Sequence, residues 1–318
     1  MRTPRALPSH LDGRSFALAE ATELSRGRLQ GRDLFIASRG IRVPWGAAQE
    51  FHRIVAPLLR LSPGSVACWG TAARLWGLPL PAWAQGEQRV HLARVNSSVV
   101  PRRFGVVGHR LQLSCDEISD CSGIPLTSPS RTWLDLAALL DIDELVAVGD
   151  ALVCCHSRPF GPAKPALLNL DELAAIVRKH SGARGIRKAR VALGLIRVGA
   201  DSAPETYLRL AALRVGLPEP ELNVAIRDDR GNEVAWPDLA FRAFQVAVQY
   251  DGGHHLSVEQ QAFDARRDNE TAKAGWISIR VSRAMVRELG YEGVMRQLWP
   301  LLKARGWQPP YRVCRSTS

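Results

Sequence analysis

The segment Val246-Ala-Val-Gln-Tyr-Asp-Gly-Gly-His-His255 constrains this chain more than any other. Val246, Val248 and Tyr250 alternate with Ala247, Gln249 and Asp251. That is the period of a β-strand with one apolar face and one polar face. Gly252 and Gly253 break the strand, and His254 and His255 follow directly. A carboxylate at the tip of a buried strand must be paired or bound to metal, because an uncompensated buried charge costs much free energy. Purely structural use of such a residue is expensive.

The preceding residues 234–241 read as a strand, with 242–245 as the connection. Pairing Phe241 with Val246 in an antiparallel hairpin sets Asp238 opposite Gln249. Asp251 lies two residues further along the same face. This register predicts that Asp238, Gln249 and Asp251 cluster at one end of one sheet face, and a one-residue slip would scatter them. Upstream, residues 202–216 read as a helix with Ser202 at its N-cap and Gly216 at its C-cap. Leu208, Ala211, Ala212 and Val215 share a face, and Glu205 precedes them by one turn on that face. Downstream, Ser257-Val-Glu-Gln260 is a capping box for a helix reaching Ala274. Residues 276–281 read as a last strand, and Ser282 caps the terminal helices. Helix, antiparallel strands, helix, strand, helix is an α+β order.

A chain of 318 residues suggests two domains of about 150 residues each. Residues 1–45 read as a loose arm followed by two short helices around a turn, a candidate helix-turn-helix. Its Arg26, Arg28 and Arg32 suit phosphate contact or a solvated surface. Residues 46–156 read as a small α+β domain with no catalytic constellation. A helix over 47–61 carries Phe51, Ile54, Val55 and Leu58 at helical spacing, strands cover 89–95 and 105–113, and Ser130 caps a later helix. His91 and His109 read as isolated, ordinary hydrogen-bonded histidines. Residues 157–200 form a linker, dense in proline and glycine at its start, and a basic helix. There Arg187 and Lys188 suit either a nucleic-acid backbone or solvent. Residues 201–318 form the second domain.

Forty-two basic residues against 31 acidic ones leave a net charge of +11. A polyanionic partner is the first expectation, and DNA the first candidate. A basic protein with no such partner is the bland alternative. The six cysteines include no C-x-x-C pair, so the zinc-ribbon spacing is missing. Cys154-Cys155-His156 suggests a metal site, but at the end of an apolar run its cysteines read as buried structural thiols. No disulfide framework is implied, which fits a reducing cytoplasm. No apolar run is long enough for a bilayer and no signal core opens the chain, so no membrane partner is expected.

Two resemblances add to this reading. Thr71-Ala72-Ala73, Leu75-Trp76-Gly77-Leu78-Pro79 and residues 123–132, in a stretch reaching about Val153, resemble proteins with an AbiEi-type antitoxin N-terminal half, which makes a toxin a candidate partner. Glu205, Pro237-Asp238, Gln249-Tyr250-Asp251-Gly252, His255, Arg266-Arg267-Asp268 and Gly275-Trp276 resemble a second family. These are the restriction-endonuclease-like domains related to very-short-patch-repair (Vsr) endonucleases, in the PD-(D/E)xK superfamily. The likeness runs from residue 202 to about residue 289. It implies a mixed sheet flanked by helices and phosphodiester hydrolysis dependent on Mg2+ or Mn2+. It makes Asp238 the central metal ligand, with Asp251 where many nucleases carry lysine. Glu205 would ligate or orient water, and His254 or His255 would act as general acid or base. Arg266 and Arg267 would clamp phosphate, or pair with Asp264 or Asp268. Gln249 departs from the family's glutamate and removes a negative charge. The catalytic lysine and the Vsr zinc set are also absent. Two functions follow: a metal-dependent nuclease impaired by Gln249, or a non-catalytic antitoxin or transcriptional regulator that binds DNA with the same fold.

Overall fold

The computed structural model describes residues 4–48, 51–156, 163–252 and 268–309. The chain is α+β and divides into two compact units that are not consecutive in sequence. One comprises residues 1–141 and 170–190, the other 142–169 and 191–318.

The first unit begins with β1 (Phe16–Ala17), β2 (Leu34–Ser38) and β3 (Ile41–Pro44), an antiparallel sheet in the order β1-β3-β2. The helix-turn-helix expected here is replaced by these strands and two single 3-10 turns, Leu18–Glu20 and Arg28–Gln30. The physical reason is nucleation: neither apolar stretch is long enough to sustain an isolated helix. Phe16 and Ile41 are instead fully buried in strands. The arginines serve as struts. Arg28 forks onto Asp33 at 2.9 and 2.7 Å, and Arg42 donates to the Leu29 carbonyl at 2.6 Å.

A five-stranded mixed sheet follows, from β4 (Ser65–Ala67), β5 (Val90–Val95), β6 (Val106–Leu111), β7 (Ile118–Cys121) and β8 (Ile124–Thr127), in the order β6-β5-β4-β8-β7. Beside it lie α1 (Trp45–Ala48), α2 (Phe51–Arg60), α3 (Trp69–Leu75), α4 (Ala82–Gln85), α5 (Pro129–Leu136) and α7 (Leu170–Lys179). The periodicity of α2 does bury Val55 and Leu58 against β4 and β8 residues. The cap of α5 is Ser128, whose Oγ accepts from the Arg131 amide at 3.3 Å, not Ser130 as the sequence suggested. Pro129 explains the shift, since its fixed φ favours the first helical position. His91 and His109 are not isolated: their rings stack, with Nδ1 and Nε2 2.9 Å apart.

The second unit takes in α6 (Ile142–Val153), the end of α8 (Ile186–Leu195), α9 (Ala203–Arg214), α10 (Arg283–Arg296) and α11 (Trp299–Ala304). Its strands are β9 (Glu221–Leu222), β10 (Ile226–Arg227), β11 (Glu233–Ala235), β12 (Leu239–Phe241), β13 (Val246–Asp251) and β14 (Ile277–Ser282). The main sheet runs β14-β13-β12-β9, with β13 and β14 parallel and the rest antiparallel. Residues 234–241 are not one strand. Pro237, which lacks an amide donor, separates β11 from β12, and β11 pairs with β10 instead. Period-two alternation puts Val246, Val248, Leu239 and Phe241 into one core with Leu208, Ala211 and Ala212 of α9 and Val294 and Met295 of α10. Ala240 and Ala247 face a smaller cluster with Trp276. Ser282 caps α10, accepting from the Met285 amide at 3.2 Å.

Candidate functional site

The β12–β13 hairpin pairs Phe241 with Val246, Ala240 with Ala247 and Leu239 with Val248. The next step outward sets Asp238 against Gln249. Gln249 Nε2 donates to Asp238 Oδ1 at 2.9 Å, and the Tyr250 amide donates to Asp238 Oδ2 at 2.6 Å. Asp251 ends β13, half-buried, on the face that carries Gln249. Across the parallel pairing, Gln249 stands beside Arg280 of β14. Arg280 pairs with Asp268 at 2.7 Å. It places a cation next to the site, where no lysine accompanies Gln249 on β13. Sequence reasoning passed it over, because parallel neighbours are non-local and a lone strand arginine carries no motif.

Glu205 sits in the first turn of α9 and is buried. Its Oε1 accepts from Ser202 Oγ at 2.7 Å and its Oε2 from the Asp201 amide at 2.8 Å. Ser202 stands at the N-cap, but its hydroxyl donates to Glu205 and accepts from no helix amide, so the carboxylate is held by one hydroxyl and one amide donor. Burial pushes the Glu205 carboxyl up, the charge of Asp238 pushes it further, and the two hydrogen bonds oppose them; it stands at about 8. Two carboxylates in mutual repulsion call for a proton or a cation.

A second group adjoins this one through Asp201. Cys154 Sγ and His156 Nε2 lie 3.3 and 2.9 Å from Asp201 Oδ1, and Lys164 Nζ lies 3.2 Å from the same oxygen. The Cys154, His156 and Asp201 donor atoms fall within 4.8 Å of one another. Sulfur and imidazole suit zinc better than magnesium. The Lys164 ammonium already supplies Asp201 with positive charge. Burial raises the Cys154 thiol to about 11. Cys154 is buried as expected, whereas Cys155 is exposed.

His254, His255, Arg266 and Arg267 lie outside the described residues. Arg187 is exposed on α8, while Lys188 donates to the Leu140 carbonyl within the first unit. The carboxylates of Asp238, Asp251 and Glu205 are hard oxygen donors of the kind Mg2+ takes. Gln249, as oriented, gives Asp238 its amide N–H, so it offers a metal nothing unless the amide reverses. The carboxylates are oxygen donors of a suitable type, but among the described residues the group of three whose donor atoms lie close enough to share one ion is Cys154, His156 and Asp201.

Two proteins of Mycobacterium tuberculosis are similar to this chain: uncharacterized protein Rv2248 of strain H37Rv and uncharacterized protein MT2308 of strain CDC 1551. Each is 28% identical over 256 residues, which cover 75% of this chain and 84% of the relative. No family in the comparison matches the chain, and no solved structure matches it.

Proposed function

We propose that this is a DNA-binding protein whose second unit carries a divalent-metal-dependent phosphodiesterase site of the Vsr-like kind, centred on Asp238. The observation that supports this reading is that buried Glu205 and Asp238 repel each other at the end of the sheet, where Gln249 lies across the hairpin and donates to Asp238. Asp238 and Asp251 would hold Mg2+ or Mn2+. Glu205 would orient water from α9, and His254 or His255 would move a proton, as the family resemblance implies. A bound ion in such a site lowers the pKa of water and offsets charge on the phosphate. Arg280 would add positive charge beside the same strand end. Gln249 weakens the site by withholding one carboxylate. A cytoplasmic location and an antitoxin-like association with a toxin belong to the same proposal. Among the described residues no helix is long and apolar enough to cross a membrane.

The second reading, a non-catalytic DNA-binding regulator, is favoured by one contact. The Gln249 amide satisfies Asp238 without any ion. Calorimetric titration with Mn2+ separates the two. The metal-dependent reading expects binding by the wild type that is lost in Asp238→Ala. No heat of binding at millimolar Mn2+ would leave the regulator.

A further inference from the structure

We propose that a cleft in the first unit, lined by Arg94, Arg102, Arg103 and Arg110, is a phosphate-binding site that holds a nucleic-acid backbone. The cleft has a volume of about 490 Å3 and also presents Ser62 and Ser98. Among the described residues no aspartate or glutamate lines it. Four guanidinium groups and two hydroxyls with no carboxylate form a donor set for an anion, and the planar fork of arginine matches phosphate oxygens.

The local structure makes the arrangement costly without a ligand. Arg94 of β5 and Arg110 of β6 are direct partners in the parallel register, so both side chains stand on one face. Like charges directly opposite each other destabilise a sheet. Neither makes an ion pair among the described residues, and Arg94 Nε is buried with no hydrogen-bond partner. A buried donor left unsatisfied is a cost that a bound acceptor would remove. Arg103 spends one donor on the Arg39 carbonyl at 2.8 Å.

Two glycines fix the loop that completes the cleft. A Cβ at Gly108 would lie 2.2 Å from the Pro101 carbonyl oxygen, so the loop carrying Ser98, Arg102 and Arg103 can rest on the strand only because 108 is glycine. A Cβ at Gly105 would meet the Ala37 carbonyl at 2.4 Å. The loop is thereby held against the sheet on the side that bears Arg94 and Arg110. Identifying the phosphate as a nucleic-acid backbone rests on the DNA-binding reading above; the anion site itself does not depend on catalysis.

The test uses the full chain in EDTA, so that metal chemistry plays no part. Fluorescence anisotropy with a labelled duplex is read across a salt series, for wild type, Arg94→Ala/Arg110→Ala and Arg102→Ala. Each phosphate contact contributes about 0.9 to the slope of log K against log salt. The double variant should therefore lose about two in slope and bind on the order of tenfold or more weakly. Arg102 is exposed, so its variant keeps the fold and should lose about one. That variant carries the test if the double variant does not fold. Calorimetry with inorganic phosphate separates the sources. Phosphate binding lost in the double variant, with an unchanged duplex slope, would keep the anion site and overturn the nucleic-acid backbone as its ligand. Folded variants with wild-type duplex slope and no change toward phosphate would overturn the site. So would a wild type that binds neither. Loss of cleavage alone, with the arginine effects intact, would count only against the catalytic reading.

Discussion

At the scale of single residues, Gln249 decides how Asp238 behaves. Its amide donates to a carboxylate that Glu205 repels, so the position is satisfied in the absence of an ion. Gln249→Glu replaces that donor with a further carboxylate. In metal-free buffer the substitution should destabilise the fold by about 1–3 kcal/mol, the cost of a lost hydrogen bond and an uncompensated charge. Mn2+ should restore the loss, and urea denaturation with and without the metal reads both effects. Glu205 makes a separate prediction with a defined sign. Its folded value of about 8 lies above the unfolded one, so the folded state holds a proton that the unfolded state releases. The stability it contributes is full below the unfolded value of about 4.5 and declines as pH rises toward about 8. Glu205→Gln should flatten the fall in stability across that window in denaturation midpoints measured at successive pH values. The Asp238–Gln249 pairing was legible because strand period and hairpin register are local rules. Arg280 and the Cys154–His156–Asp201 group were not, since each depends on segments meeting from distant parts of the chain.

At the scale of elements, a buried charge pair ties α6 to α9. Arg209 and Asp150 are both fully buried, with Nη2 and Oδ2 3.0 Å apart. Thr206 Oγ1 and the Arg197 amide also donate to Asp150, at 2.8 Å each, and Arg209 reaches Glu219 at 3.0 Å. Burial raises the Asp150 carboxyl, and these partners oppose the rise. Removing Asp150 leaves the fully buried Arg209 with only the part-exposed Glu219 as a charged partner among the described residues. Asp150→Ala should therefore cost about 3–5 kcal/mol in chemical denaturation. This pair also explains why the sequence misplaced α6. Its apolar run gave no sign of which unit it joins; the single aspartate inside that run, answered by an arginine 59 residues later, carries the information. At β6 the corresponding lesson is Gly108. Gly108→Ala would push the methyl into the Pro101 carbonyl and should cost about 1–3 kcal/mol by overpacking, while weakening phosphate binding. The N-terminal strands were missed for the opposite reason. Short arginine-rich segments read equally well as helix or turn until Asp33 and the backbone carbonyls claim the arginines.

At the scale of the whole molecule, a net charge of +11 favours a polyanion without saying where it binds. Two sites are proposed, an arginine cleft in one unit and a carboxylate site in the other. Composition suggested a polyanionic partner, and the family resemblance implied a chemistry for the second unit. Neither could locate the arginine cleft, which exists through a parallel strand register and a glycine under a loop. The α+β class was legible throughout. The interleaved division of the chain was not, because residues 142–169 return to the second unit through long-range contacts that no local pattern records.

The most direct test is plasmid cleavage with Mg2+ and then Mn2+, comparing wild type, Asp238→Ala and Gln249→Glu purified in the same way. Expected is slow cleavage by the wild type, strongest in Mn2+, abolished in Asp238→Ala and raised in Gln249→Glu. No cleavage by any of the three with either metal, from folded protein that still binds the plasmid, would contradict a phosphodiesterase site at Asp238.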